Sequence, residues 1–323
     1  LSLLTTKATS VSLSKQTGLL SRKGKIRRAL SAYHALYIML LPGLLFFAVF
    51  KYFPMGGSVI AFKDYNIFKG FWDSPWVGWH WFEMFFQAPN IQRVLWNTVI
   101  LSSYQIIFAF PAPIILALLL NELRLMHMKR IVQTVLYLPH FLSWSIIFGL
   151  AVMMLSPGTG LINGWIQAAG GEPVAFLQKA AYFRTIIVGT GIWKEMGWSA
   201  IIFIAALAGI NPSLYEAAKM DGAGRWALMR HISIPGMLPA IVILLLLKIG
   251  NILDLGFEHI WVFLNPLTLS VGDVLDTYIY REGVTQFKYS LATSVGLFKS
   301  VIGFVLILTA NKISDRISGE GLF

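Results

Sequence analysis

Lys248, Asn251, Asp254 and Glu258 are conspicuous in this sequence because they interrupt an otherwise apolar stretch. On a helix at 100° per residue they would share a stripe about 120° wide. With a rise of ~1.5 Å per residue, Lys248 would lie roughly 16–18 Å in from the start of that stretch at Pro235 and Gly236. If the stretch crosses a membrane, a charge at that depth costs at least ~2.5 kcal/mol and must face water or a partner. Two chemistries remain open. Lys248 could pair internally with a carboxylate such as Asp254 or Glu195 and so orient helices. Alternatively, the stripe could line a path in which an ammonium meets an anionic group. Trp193, Lys194, Glu195 and Trp198, in a second apolar run, would add aromatic faces and further charges to that path.

Reactive constellations are missing. No glycine-rich loop ending in Gly-Lys-Ser/Thr is present, so the chain is not expected to bind ATP itself, and no His-Glu-x-x-His pattern occurs. The six histidines, at positions 34, 80, 127, 140, 231 and 259, have no metal-ligand spacing, and each is expected at a surface or an interface. Without cysteine there are neither disulfides nor thiolate sites. No catalytic group, metal or cofactor is therefore assigned to this chain.

The elements that must position the polar residues are membrane helices. A chain of 323 residues that is 56% hydrophobic and 13% charged, with mean hydropathy +0.68, has too much apolar surface for one water-soluble core. Apolar runs fall at about 34–53, 94–120, 131–155, 184–209, 236–257 and 292–311. Each approaches or exceeds the ~20 residues that a helical crossing needs. The expected fold is all-α and polytopic, with six spans. Pro111 and Pro113 predict a kink in the second.

The net charge of +11 reports loop orientation rather than nucleic-acid binding. Residues 1–33 carry seven Lys or Arg and no acid, as a cytoplasmic arm would. A cleaved signal peptide would need a small-residue cleavage site that the first run lacks, whereas a mitochondrial-type targeting arm would have a similar composition. Arg124, Lys129 and Arg130 mark the second connection, Lys219, Arg225 and Arg230 the fourth, and Lys312 and Arg316 the tail. The intervening connections mix base with acid, which puts both termini inside. The first external connection is aromatic (Phe71, Trp72, Trp76, Trp79, Trp81, Phe82, Phe85, Phe86), a composition suited to the headgroup region or to a partner protein.

One polar segment between two apolar runs, Asn211 to Pro235, is itself patterned. Asn211 and Pro212 suit an N-cap and first helical position, and Ser213 and Glu216 have capping-box spacing. Gly222 sits where the short helix should stop. A second short helix is expected through Trp226 and Met229, with Pro235 opening the next span. Glu216-Ala217-Ala218, three residues, Gly222, nine residues and Ile232-Ser233-Ile234-Pro235 resemble the EAA loop of membrane subunits of binding-protein-dependent ABC importers. The resemblance implies that Glu216, Ala217, Ala218, Asp221, Gly222, Ile232 and Pro235 form a coupling helix docked on an ATPase subunit.

Residues 111–123, 133–144, 191–208 and 276–312 are similar to the polysaccharide branch of ABC sugar permeases. Within that branch the chain looks most like the larger membrane subunits of alginate importers. The resemblance covers most of residues 30–315. It implies the type I importer permease fold, with an arm at 1–33, a permease domain at 34–315 containing the coupling loop 211–235, and a tail at 316–323. It further implies an acidic oligosaccharide or polysaccharide as cargo, a second membrane subunit, an external binding protein, and two ATPase subunits that hold ATP and Mg. On that reading the aromatic residues could stack on sugar rings and Lys248 could meet a sugar carboxylate. An ion-coupled secondary transporter is the alternative, but it would need inverted repeats with broken helices in both halves, and a single Pro-rich span is visible.

Overall fold

The computed structural model describes residues 33–123 and 125–318. Residues 1–32, Arg124 and residues 319–323 lie outside the described residues, and with them nearly all of the expected arm. Among the described residues the fold is helical, with one isolated bridge between Lys63 and Trp76, as the all-α expectation requires.

The first unit, which ends at Ser58, contains most of α1 (His34–Phe62). Its side chains are apolar on every side and none is buried from 34 to 55, the signature of a helix whose solvent is lipid.

The second unit, Val59–Phe323, contains α2 (His80–Gln87), α3 (Ile91–Glu122), α4 (Met126–Phe141), α5 (Trp144–Leu155) and α6 (Leu161–Ala168). They are followed by α7 (Ala180–Ala208), α8 (Pro212–Met220), α9 (Arg225–Gly250), α10 (Phe257–Phe263), α11 (Leu275–Tyr280) and α12 (Tyr289–Ser318). Helices α1, α3, α7, α9 and α12 are each long and apolar enough to cross a membrane unbroken. The third expected span is corrected: α4 and α5 meet at 106°, and only as one bent passage do they complete the six.

The spans absorb proline in a shared way. π turns occupy Ala48–Tyr52, Gln105–Ala109 and Met229–Ser233, and a proline (Pro54, Pro111, Pro235) follows each after one intervening residue. A proline inside an α-helix lacks its N–H and crowds the carbonyl four residues back. Here Phe110 N–H reaches back five residues to Gln105 O at 2.9 Å, which shifts the carbonyl register just before the ring. The helices thus continue through these prolines. Pro235 lies in the first turn of the α-helical stretch Ile234–Gly250, as expected of a helix start, while the continuous helix α9 extends back through the π turn to Arg225.

Three apolar clusters hold the second unit together. Phe85, Ile91, Val94, Leu275, Tyr278, Leu291 and Val295 join α2, α3, α11 and α12. Leu101, Ile147, Phe183, Ile187, Ile260 and Phe263 join α3, α5, α7 and α10. Ala117, Leu118, Ala200, Phe203, Leu207 and Met237 join α3, α7 and α9. Phe85 is therefore core, unlike the exposed Trp72, Trp76, Trp79 and Phe86 of the same aromatic connection.

Residues 251–288 are not a plain external connection. They fold back among the helices and are clamped by side chains of α3. Asn97 Nδ2 donates to the carbonyls of Ser270 and Asp273, both at 3.1 Å. Thr98 Oγ1 accepts from Leu275 N–H at 3.0 Å, and Ser102 Oγ donates to Ile252 O at 2.6 Å. Arg184 of α7 secures Asn97 Oδ1 at 2.8 Å.

Candidate functional site

The segment 211–235 forms largely as its residue types dictate. Asn211 caps α8, its Oδ1 accepting from Ser213 N–H at 3.0 Å, while Ser213 and Glu216 form no capping box. Gly222 takes φ +80°, a left-handed conformation in which other residues are strained. Glu216, Ala217, Asp221 and Gly222 are exposed, Ala218 and Ile232 are half-buried, and Pro235 is exposed. Leu214, Met220 and Trp226 add 53%, 89% and 71% exposed apolar side chains to this polar elbow, an arrangement that fits a protein partner. Tyr215 Oη and Ser233 Oγ lie 3.0 Å apart, tying α8 to α9. Arg225 reaches Glu122 at the end of α3 at 4.0 Å.

The polar residues inside the bundle are arranged differently from the expected stripe. Helix α9 ends at Gly250, with Asn251 at its C-cap, Asp254 in the following turn and Glu258 on α10. The single-helix stripe is thus corrected. Even so, a cavity of about 610 Å³ gathers Lys248, Asn251, Asp254 and Glu195, together with Gln105, Ser199 and His259. Trp193, Lys194, Trp198 and Glu258 do not line it.

Lys248 pairs with neither Asp254 nor Glu195. Its Nζ donates to Gln105 Oε1 at 2.9 Å, a neutral partner on α3, and among the described residues it forms no ion pair. Asp254 instead lies 3.9 Å from Lys299, whose main partner is Asp276. The signal for Gln105 was present, since it is an amide within an apolar run, but Lys248 lies 143 positions away in sequence.

Lys194 has a structural task. It is 7% exposed, and its Nζ donates to the carbonyls of His140 at 2.5 Å and Leu142 at 2.7 Å. These carbonyls lie where α4 stops and α5 begins. Gly197, one turn further along α7, lets the helices meet closely, since a Cβ there would collide with the carbonyl of Leu136. Ser143 caps α5 by accepting from Ile146 N–H at 3.3 Å. His140 Nδ1 lies 2.9 Å from Glu195 Oε2, and its ring stacks on Trp198 with centroids 4.6 Å apart. Lys194→Met should therefore lower stability by about 2–4 kcal/mol, because hydrogen bonds from a charged donor contribute about 1.5–3 kcal/mol each and the carbonyls are left bare. Thermal unfolding of the purified protein checks this, and an unchanged melting temperature would remove Lys194 from the break.

His259 departs from the surface placement expected of the histidines. It is 4% exposed and stacks on Trp144 with centroids 3.6 Å apart. Burial, and next the Lys194 ammonium, push its pKa down to about 3, so the ring is neutral. Thr190 Oγ1, which donates its own proton to Ile186 O at 2.7 Å, lies 3.0 Å from His259 Nε2. The Nε2–H tautomer satisfies both groups.

A family model described as binding-protein-dependent transport system inner membrane component matches residues 92–319. Protein LplB of Bacillus subtilis (strain 168) is 51% identical over 288 residues, covering 89% of this chain and 91% of the relative. The polygalacturonan/rhamnogalacturonan transport system permease protein YteP of the same organism is 46% identical, covering 89% and 90%. Two crystal structures are similar at 40% identity. One, a bacterial ABC transporter involved in import of the acidic polysaccharide alginate, gives a TM-score of 0.84 and covers 91% of this chain and 99% of its own. The other, a bacterial alginate ABC transporter in complex with an alginate pentasaccharide-bound periplasmic protein, gives 0.85 and covers 92% and 100%. The chain belongs to the inner membrane components of binding-protein-dependent transport systems.

Proposed function

We propose that this permease forms one half of the membrane path of an ATP-driven importer for acidic oligosaccharides. The observation that carries the reading is Lys248, a cation in a cavity within the bundle whose partner is the neutral amide of Gln105. A sugar carboxylate entering that cavity would meet an ammonium that is held by an amide and locked in no direct ion pair, although Asp254 and Glu195 line the same cavity. Polar Asn251, Ser199 and Glu195 on the same wall offer donors and acceptors to sugar hydroxyls. The substrates for which the similar proteins are named, polygalacturonan, rhamnogalacturonan and alginate, all contain uronic acids, which supports an anionic cargo.

As a permease subunit the chain is not the enzyme of the system. ATP and Mg belong to two ATPase partners, one docked on Glu216 to Gly222. A paralogous second permease completes the path, and an external binding protein delivers the cargo. The coupling loop at 211–235 and both termini, the arm at 1–33 and the tail at 316–323, face the cytoplasm, a placement that their basic residues support, with the permease domain at 34–315 between them. An ion-coupled carrier finds no support, because family membership accounts for the EAA loop and a self-sufficient carrier would not need it.

The test is ATPase activity of the assembled transporter in nanodiscs, measured with binding proteins loaded with uronate or with neutral oligosaccharides. Stimulation severalfold stronger by uronate-loaded protein is expected. Equal or greater stimulation by neutral sugars overturns the acidic assignment.

A further inference from the structure

A second cleft, of about 640 Å³, lies outside the cavity described above, and its chemistry is different. Its polar wall is built from Gln87, Asn90, Arg93, Arg281, Gln286 and Lys288. Two of its cations are already neutralised. Arg281 is held by Asp273 in a two-pronged pair at 2.9 and 2.8 Å, and Lys288 meets Glu282 at 2.9 Å. Arg93 is exposed and, among the described residues, forms no ion pair. The cleft therefore has one uncompensated positive charge.

Its height in the membrane follows from the helices. The wall includes the first residues of α3, near Ile91, and the residues leading into α12 at Tyr289. Glu122, at the far end of α3, touches Arg225 of the coupling segment. The cleft accordingly sits at the membrane surface opposite the coupling loop, where both spans begin. Phe86 and Trp96, 53% and 66% exposed, lie next to the lining residue Gln87 and one turn beyond Arg93 in sequence, and exposed aromatic residues suit the headgroup level. Met84 and Leu269 supply an apolar floor. It is also separate from the path, since none of its lining residues lines the cavity around Lys248.

We propose that this cleft binds the phosphate-bearing headgroup of an anionic phospholipid, with Arg93 as the phosphate ligand. A guanidinium presents paired donors to phosphate oxygens, the neighbouring amides suit headgroup hydroxyls, and the exposed aromatic residues and apolar floor receive the start of the acyl chains. A free phosphate would satisfy Arg93 alone and leave the apolar floor unused.

The experiment uses the whole transporter, delipidated and placed in nanodiscs of phosphatidylcholine containing graded phosphatidylglycerol, with retained lipid counted by native mass spectrometry. The wild type should retain one more phosphatidylglycerol than the Arg93→Gln variant, whose retention should fall about tenfold, while Arg93→Lys keeps an intermediate share. Because Arg93 is exposed, both variants should fold, and their unchanged melting in phosphatidylcholine alone checks this. Equal retention by wild type and Arg93→Gln overturns the site. So does displacement of the retained lipid by millimolar inorganic phosphate or by an acidic oligosaccharide, since either would show the anion alone, or the sugar, to be the ligand.

Discussion

Gly222→Trp should leave the permease folded and membrane-inserted yet nearly abolish its ATP-driven uptake. In the free chain no atom lies within 4 Å of a Cβ at this position, so an indole meets no internal clash. The backbone, at φ +80°, imposes a strain of about 1–3 kcal/mol on a residue with a side chain. On the proposed docking, the indole obstructs the approach of the ATPase to the exposed elbow between α8 and α9. Loss of a central interface contact costs about 2–4 kcal/mol, roughly thirtyfold to nearly a thousandfold in affinity. Glu216→Lys, an exposed charge reversal on the same helix, should weaken ATPase association similarly without the backbone strain. The measurement is co-purification of the ATPase with each variant, together with uptake by vesicles. If both variants bind the ATPase and transport as the wild type does, the elbow is a plain connector.

The elbow was legible because its signals are local. Asn211, Pro212 and Gly222 each fix the backbone within a residue or two, and the structure places cap, first turn and left-handed stop where those residues require them. The broken third span was not legible from hydropathy, since residues 131–155 stay apolar through the bend. Pro139 in the last turn before the break and Ser143 capping the next helix were its local traces. The partner that makes the break tolerable, Lys194, comes from more than 50 positions away. The end of α9 escaped for a related reason. Ile252, Leu253 and Leu255 prolong the apolar run, while Asn251, Asp254 and Gly256, residues that favour turns, redirect the chain after Gly250. The stripe drawn through Lys248 and Glu258 assumed a helix that stops between them, yet Lys248, Asn251 and Asp254 still line one cavity because the turn folds back towards it. Asn97, Thr98, Ser102 and Gln105 could have been noticed as a polar ladder along an apolar helix. Their partners, 143 to 177 positions on, could not.

Lys248→Met separates a substrate contact from a structural one more sharply than the sequence alone allowed. Had Lys248 paired with Asp254 or Glu195, its loss would strand a carboxylate at a cost of about 3–5 kcal/mol, and neutralising that carboxylate would restore stability. With Gln105 as the partner, the residue left behind is a neutral amide on a cavity wall. Its lost hydrogen bond is worth about 1 kcal/mol, and water in the cavity can replace the donor. The variant should therefore melt within a few degrees of the wild type, and changing Asp254 or Glu195 to its amide should bring no recovery. Transport should respond far more. A hydrogen bond from an ammonium to a sugar carboxylate contributes about 1.5–3 kcal/mol, so uptake of a uronate oligosaccharide should fall about tenfold to a hundredfold, with uptake of a neutral oligosaccharide nearly unchanged. Gln105→Leu makes the complementary case, because it keeps the charge and removes its holder. That variant should lose stability, since the ammonium is left without its amide, yet retain its preference for anionic cargo. Equal losses for charged and neutral sugars in Lys248→Met would make the residue a structural one, and the acidic-sugar reading would lose the observation that carries it.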